Sequence, residues 1–275
     1  MRRLIVLPLL LLVACATPQN NYDPLEAINR PVFAVNKAID DTVLRPVATG
    51  YTRFVPPPLR KGVDNFFENI DDLFAIPAAL LQGKATPASK SFGRILVNST
   101  VGVGGLIDWA SDLPIEKQEN DFGQTLGVWG VPSGPFLMVP FYGPLTLRDS
   151  ADPLVRLAWG PIDYIDDLSG QIAYYSVFII NARSQLLPLD AMLKEQADPY
   201  AFIRDSYLQR RWFKIHDGNP PHPLPMGDEE DELEIKPAAR QSTAVNPQPM
   251  RSDNDAPEHD NKPAIAASTP TEATP

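Results

Sequence analysis

The chain has 275 residues, of which 44% are hydrophobic and 21% charged, so a sizeable core can form and wholesale disorder is excluded. A net charge of -10 removes the basic footprint that a nucleic-acid binder needs, and 30 prolines argue for many short elements rather than a regular parallel α/β sheet. One cysteine forbids an internal disulfide, and three histidines leave little for metal or general-base chemistry.

At the N-terminus, Met1-Arg2-Arg3 precede an apolar run from Leu4 to Val13, the charged and apolar regions of a secretory signal. The run is far shorter than the roughly 20 residues that span a bilayer. Leu12-Val13-Ala14-Cys15 resembles the lipobox of bacterial lipoproteins. The resemblance implies a signal peptide over residues 1–14, diacylglycerol and an N-acyl chain on Cys15, and a lipidated linker over 15–21. Two or three acyl chains together anchor stably where one does not. The plainer reading leaves Cys15 an ordinary small apolar residue at the end of an anchor helix. Ala16, where inner-membrane lipoproteins carry aspartate, favours the outer membrane.

Residues 22–215 read as helices broken by proline and glycine. Asp23-Pro24-Leu25-Glu26 carries the signature of a helix start, an N-cap followed by proline at the first position. Leu25, Ile28, Val32, Val35 and Ile39 continue it at helical spacing, with a kink or break expected at Pro31. Pro56-Pro57-Pro58 introduces a second helix with a wide apolar stripe through Phe66, Phe67 and Phe74, interrupted at Pro77 and closed by Gly83. Thr86-Pro87 opens a third, with Phe92, Ile95 and Leu96 on one face.

From Gly123 to Arg148 glycine and proline recur every few residues among apolar side chains, and an irregular segment is expected rather than helix. It is either a buried connector lining the core or a surface that meets lipid tails. Beyond it, the run Ile172 to Ile180 is too short to cross a bilayer as a helix and reads as core or interfacial. Asp198-Pro199 starts a last helix through Tyr200, Ile203, Tyr207 and Leu208. Strand alternation is hard to find, so the fold class is mainly α. Residues 216–275 read as a Pro-rich, acidic, disordered tail. From Asp228 on, eleven acids stand against four bases, so -7 of the -10 belongs to the tail.

Catalytic patterns are absent. Asp121-Phe122-Gly123 matches the kinase metal-binding triplet without its companion motifs, and there is no Gly-x-Ser-x-Gly elbow. His216, His222 and His259 all lie in or beyond the proline-rich exit from the body, away from any nucleophile. Asp71-Asp72 and Asp166-Asp167 read as solvated faces or helix caps. No cofactor and no metal are expected.

Several motifs together resemble the VacJ/MlaA family of outer-membrane lipoproteins. They are Asp23-Pro24-Leu25-Glu26 with Asn29-Arg30, Leu44-Arg45-Pro46-Val47-Ala48, Val63-Asp64-Asn65-Phe66 and Leu81-Gln82-Gly83. Further on come Arg94-Ile95-Leu96-Val97-Asn98-Ser99-Thr100, Asp121-Phe122-Gly123-Gln124-Thr125-Leu126-Gly127, Thr146-Leu147-Arg148-Asp149, Asp198-Pro199-Tyr200 and Tyr207-Leu208-Gln209-Arg210-Arg211. The family implies a ring-like bundle of short amphipathic helices in the inner leaflet of the outer membrane, facing the periplasm. It implies a passage for mislocalised phospholipid beside a trimeric outer-membrane porin, delivering to a periplasmic carrier, with no enzymatic chemistry. A structural lipoprotein that only organises porins is the competing reading. The passage is expected to involve Gly127, Trp129, Gly134, Phe136, Met138, Phe141, Tyr142 and Arg148. Arg148 either meets a head-group phosphate or pairs with Asp149 or another acid.

Overall fold

The structure is a computed structural model that describes residues 16–227. The signal segment, Cys15 and the acidic tail from Asp228 on lie outside the described residues. What is described falls within one structural unit and is mainly α-helical, as the sequence predicts. The helices are α1 (Glu26–Ile39), α2 (Arg45–Phe54), α3 (Pro57–Leu81), α4 (Ala85–Thr100) and α5 (Phe122–Val128). They continue with α6 (Ala151–Trp159), α7 (Leu168–Leu186), α8 (Asp190–Glu195) and α9 (Pro199–Ile215). None among the described residues is long and apolar enough to cross a membrane.

Proline does not break these helices where expected. Pro31 lies inside α1, which runs on without interruption, because Val32 and Phe33 pack against the core and Asn29 is anchored on both sides of its amide. Tertiary burial of one face outweighs a single lost backbone bond. The irregularity comes later, where a π-helical segment, Asp40–Leu44, joins α1 to α2 immediately before Pro46. A widened turn accommodates a ring that would otherwise strike the preceding carbonyl. Pro77 likewise sits within α3, on its exposed side, while Ala78 and Ala79 beside it are fully buried. The expected helix start at Asp23-Pro24 also shifts: α1 begins at Glu26, and buried Asp23 serves as a tertiary acceptor instead.

The α3–α4 pair turns on Gly83, whose φ of 75° is open to glycine at little cost. Its N–H donates to the Leu80 carbonyl at 2.9 Å and that of Lys84 to Ala79 at 2.9 Å, satisfying two carbonyls at the end of α3. The inner face of α4 is polar: Ser91, Arg94 and Asn98 are buried, while Phe92 and Leu96 point outward. Arg94 donates to Asp72 at 3.0 Å, to Asp108 at 3.0 Å, and to Ser111 and the Ile115 carbonyl at 3.2 Å each. Asn98 bonds Asp108 and the Ala110 N–H, so α4 pins the long connection after it through polar contacts. Asp72 is fully buried, which corrects the reading of Asp71-Asp72 as a solvated pair.

Two expectations for 123–148 are corrected. The segment opens with a helix, α5, capped by Asp121 accepting from the Gln124 N–H at 2.7 Å. It ends in an antiparallel hairpin, β1 (Phe136–Val139) with β2 (Gly143–Thr146), in which Phe136 pairs with Thr146 and Val139 with Gly143. The free edge of β1 is satisfied by α1. Asn29 donates to the Phe136 carbonyl at 3.0 Å and accepts from Met138 N–H at 2.9 Å. Asn36, two turns on, does the same with Val139 and Phe141 at 3.0 Å each. Two amide side chains thus take the place of a third strand.

The apolar core lies under this hairpin. Phe136, Met138, Tyr200, Leu208, Leu224 and Met226 are buried together. Leu224 and Met226 come from beyond α9, where Gln209 exchanges two hydrogen bonds with the Leu224 backbone and Asn21 accepts from Gly227. The body therefore extends past the boundary expected at residue 215, through Gly227. Apolar side chains anchor a strap that composition alone marks as tail.

Candidate functional site

α3 divides its surroundings by helical spacing. Leu59, Phe66, Leu73 and Leu80 recur every seven residues and form an exposed apolar stripe. Asp64, Glu68, Asp71 and Ala75 recur at three and four on the opposite side and line a polar cavity of about 510 Å³. The segment from Lys117 to Asp121, together with α6, α7 and α9, closes that cavity. Beside it lies a second, apolar cavity of about 310 Å³, walled by Phe67, Phe74, Tyr142, Leu157, Tyr174 and Phe178 among others. The two cavities share Phe67, Asp71, Arg156 and Phe178.

Arg156 is the charged group at their junction. Its Nη1 donates to Asp71 at 2.6 Å, its Nε to Asp152 at 2.7 Å, and its guanidinium carbon stands 4.8 Å from the Phe74 ring centre. Burial draws its pKa down, but the neighbouring Asp152 and Asp71 charges and hydrogen bonds outweigh that effect, and the net shift is upward. Phe67 meets Tyr174 and Phe178 edge-on at 5.5 and 5.1 Å, building an aromatic wall. Burial raises the Tyr174 hydroxyl above its ordinary value.

The residues expected to form one passage are not brought together. Tyr142 lines the apolar cavity. Gly127 and Arg148 line a third cavity of about 340 Å³, with Leu208, Arg211 and Ile215 from a different face of α9 than the one that presents Arg210 and Lys214 to the polar cavity. Trp129 is exposed and donates to the Leu81 carbonyl at 2.9 Å, and Phe141 is 79% exposed at the hairpin tip. Gly134 is buried at a φ of 66° just before β1. Phe136 and Met138 are core residues rather than cavity walls, because their strand face is turned under the hairpin onto Tyr200 and Leu208.

Arg148 is committed to an acid. Its Nε bonds Asp149 at 2.9 Å, and Asp149 also accepts from Arg211 and the Tyr207 hydroxyl at 3.0 Å each. Arg211 grips Asp121 with both nitrogens at 2.6 and 2.8 Å. Burial alone would raise the Asp121 carboxyl, but the Arg211 bonds and charge hold it below the usual range. Asp121-Phe122-Gly123 is thus a cap and an ion-pair anchor. At Gly123 an added Cβ would stand 2.6 Å from Asp149 Oδ1, which is why glycine is required there.

None of Lys117, Asp152 and Arg156 stands out in the sequence, Asp71 reads there as a solvated face or cap, and Asp64 appears only within a family motif. Two signals were available: the i,i+4 pairing of Asp152 with Arg156, and an acidic stripe opposite an apolar one on the same helix. Distant motifs also prove to be one constellation. Asn29 donates to Asp23 at 2.7 Å, Tyr200 donates its hydroxyl to Asp23, and Arg30 grips Asp198 at 2.6 and 3.2 Å.

Comparison with known proteins gives a consistent result. The family described as MlaA lipoprotein matches residues 21–214. The intermembrane phospholipid transport system lipoproteins MlaA of Escherichia coli K12 and Shigella flexneri are each 33% identical over 216 residues, 76% of this chain and 86% of theirs. The Haemophilus influenzae protein of the same name is 33% identical over 202 residues, covering 71% of this chain and 80% of its own. A solved structure described as "Structural basis for maintenance of bacterial outer membrane lipid asymmetry" aligns with a TM-score of 0.63 at 35% identity. It covers 70% of this chain and 98% of its own.

Proposed function

Because the chain belongs to the MlaA lipoprotein family, we propose that it withdraws mislocalised phospholipid from the outer leaflet of the outer membrane. The lipid passes to a soluble periplasmic carrier, so that membrane asymmetry is maintained. Diacylglycerol and an N-acyl chain on Cys15 anchor the protein to the outer membrane, with the body facing the periplasm beside a trimeric porin. The protein acts as a conduit and breaks no bond.

The observation that carries this reading is the polar cavity opening beside an apolar one across the shared Arg156–Asp71 pair. A phospholipid crossing between leaflets needs polar partners for its head group and an apolar lining for its tails, since an unpaired charge in hydrocarbon is costly. The outer surface supports the same reading. Among the described residues, large apolar side chains are exposed along α3, α4, α6 and α7, while Arg94 and Asp72 form a buried ion pair between α3 and α4. A body that turns large apolar side chains outward and buries an ion pair between α3 and α4 suits a lipid surrounding rather than water.

The test compares outer-leaflet phospholipid in cells that lack the gene, carry it, or carry Ala182→Trp. Ala182 is exposed on the wall of the polar cavity, so an indole there fills the cavity without disturbing the core. Surface phospholipid is expected to rise as much in the plugged variant as in the deletion. Normal surface phospholipid with the cavity plugged would overturn transport and favour a structural, porin-organising lipoprotein.

A further inference from the structure

The charge balance of the polar cavity is uneven. Six carboxylates and four cations line it. Most of the carboxylates are answered: Glu68 pairs with Lys117 at 3.2 Å, Glu119 with Lys214 at 2.6 Å and Arg210 at 3.2 Å, and Asp121 with Arg211. Asp71 and Asp152 share the single cation Arg156. Asp64 has no cationic partner among the described residues. It accepts only from two neutral amides, Asn181 at 3.4 Å and Gln185, and both bonds fall on Oδ1. Its Oδ2 makes no hydrogen bond among the described residues. Near the junction with the apolar cavity, Arg156 engages its acids through Nε and Nη1, which leaves Nη2 without a partner among the described residues.

We infer that this cavity recognises a zwitterionic head group carrying a primary ammonium, of the ethanolamine kind, with the phosphate at Arg156 Nη2 and the ammonium at Asp64 Oδ2. The inference rests on the transport reading and specifies its cargo. Asp64 and Asp71 lie two turns apart on α3, about 10 Å along the axis. Phosphate and ammonium are thus received at separate levels, the phosphate nearest the tails. The cavity is already net negative, so a zwitterion adds no charge, whereas an anionic glycerol head group adds repulsion without supplying a partner for Asp64.

The experiment uses the full lipidated chain in a non-ionic detergent. It is offered equimolar phosphatidylethanolamine and phosphatidylglycerol with matched acyl chains, and the lipid it keeps is identified by mass spectrometry. The wild type is expected to favour the ethanolamine lipid about fivefold, the scale of one partly screened ion pair. Asp64→Asn should bring the ratio close to one by lowering retention of the ethanolamine lipid, and Asp64→Glu should preserve the preference. Gln185→Lys, which supplies a cation beside Asp64, should abolish the preference with the carboxylate intact, so the test does not depend on one variant folding. Equal retention of both lipids by the wild type, or a ratio unmoved by Asp64→Asn, would overturn the head-group assignment alone. Retention of no phospholipid would overturn the transport reading as well. Competition by soluble glycerophosphoethanolamine as strong as by the lipid would also overturn the proposal, because the apolar cavity would then contribute nothing.

Discussion

Replacing Arg94 by leucine removes the one cation bonded to Asp72 among the described residues, and the Asp72 side chain is fully buried. Four donor contacts vanish, to Asp72, Asp108, Ser111 and the Ile115 carbonyl. Breaking a buried pair from one side costs about 3–5 kcal/mol, because the remaining charge is stranded in a low-dielectric site. For a body of this size about 2–4 °C of melting temperature goes with each kcal/mol, so a fall of roughly 10 °C is expected at neutral pH. Burial holds the Asp72 carboxyl above its ordinary value of 3.8 even with Arg94 present. Its ionisation therefore costs stability as pH rises through that raised value. Asp108 has the opposite sign: burial would raise it, but bonds from Ser111, Asn98 and Arg94 bring it down to about 2. Its contribution is present above 3.8 and is lost as pH falls toward about 2. Without Arg94 the Asp72 carboxyl rises further, so the deficit of the variant should narrow as acidification protonates it. Adding Asp72→Leu should restore most of the loss, since an apolar pair of similar volume is often neutral. Thermal unfolding of the detergent-solubilised protein across pH reads all three. A deficit under about 1 kcal/mol, or a double variant as unstable as the two single losses combined, would refute the argument.

Two further predictions concern the fold around the third cavity. Gly123→Ala would place a methyl 2.7 Å from the Asp149 Cα and 2.9 Å from Arg211 Nη2, so it should cost about 1–3 kcal/mol of stability, measured by thermal melting, while Gly50→Ala, with nothing within 4 Å, should not. Leu224→Ala should cost about 2–4 kcal/mol although it lies beyond the last helix, and a chain cut after residue 227 should melt well above one cut after 215.

Local rules were readable where one turn of chain contains its own reason. The end of α3 at Gly83 and the start of α9 at Asp198-Pro199 follow from capping chemistry between neighbours. The same rules mislead between Gly123 and Arg148, where recurring glycine predicts a break in the helix. Gly123 and Gly127 sit inside α5 because Asp149 and Ile215 approach too closely for a side chain, a cause more than 20 residues away in each case. The hairpin was missed because β1 is completed by Asn29 and Asn36 of α1, and no strand pattern announces a strand whose edge is filled by side chains. The strap to Gly227 looked like tail because its few apolar residues matter only once α9 and the hairpin lie beneath them.

That this chain is mainly helical and belongs to its lineage is legible in the sequence, because spacing, caps and ordered motifs are properties of neighbours along the chain. The sequence also marks Arg148 and the Gly/Pro-rich stretch as the place to look for a passage. That Arg148 is tied to Asp149, that Arg156 stands where a polar and an apolar cavity meet, and that α4 turns its polar face inward emerge once the helices are packed. Those outcomes depend on which helix faces lie opposite one another, and a cavity is a relation between elements that no single stretch of chain contains.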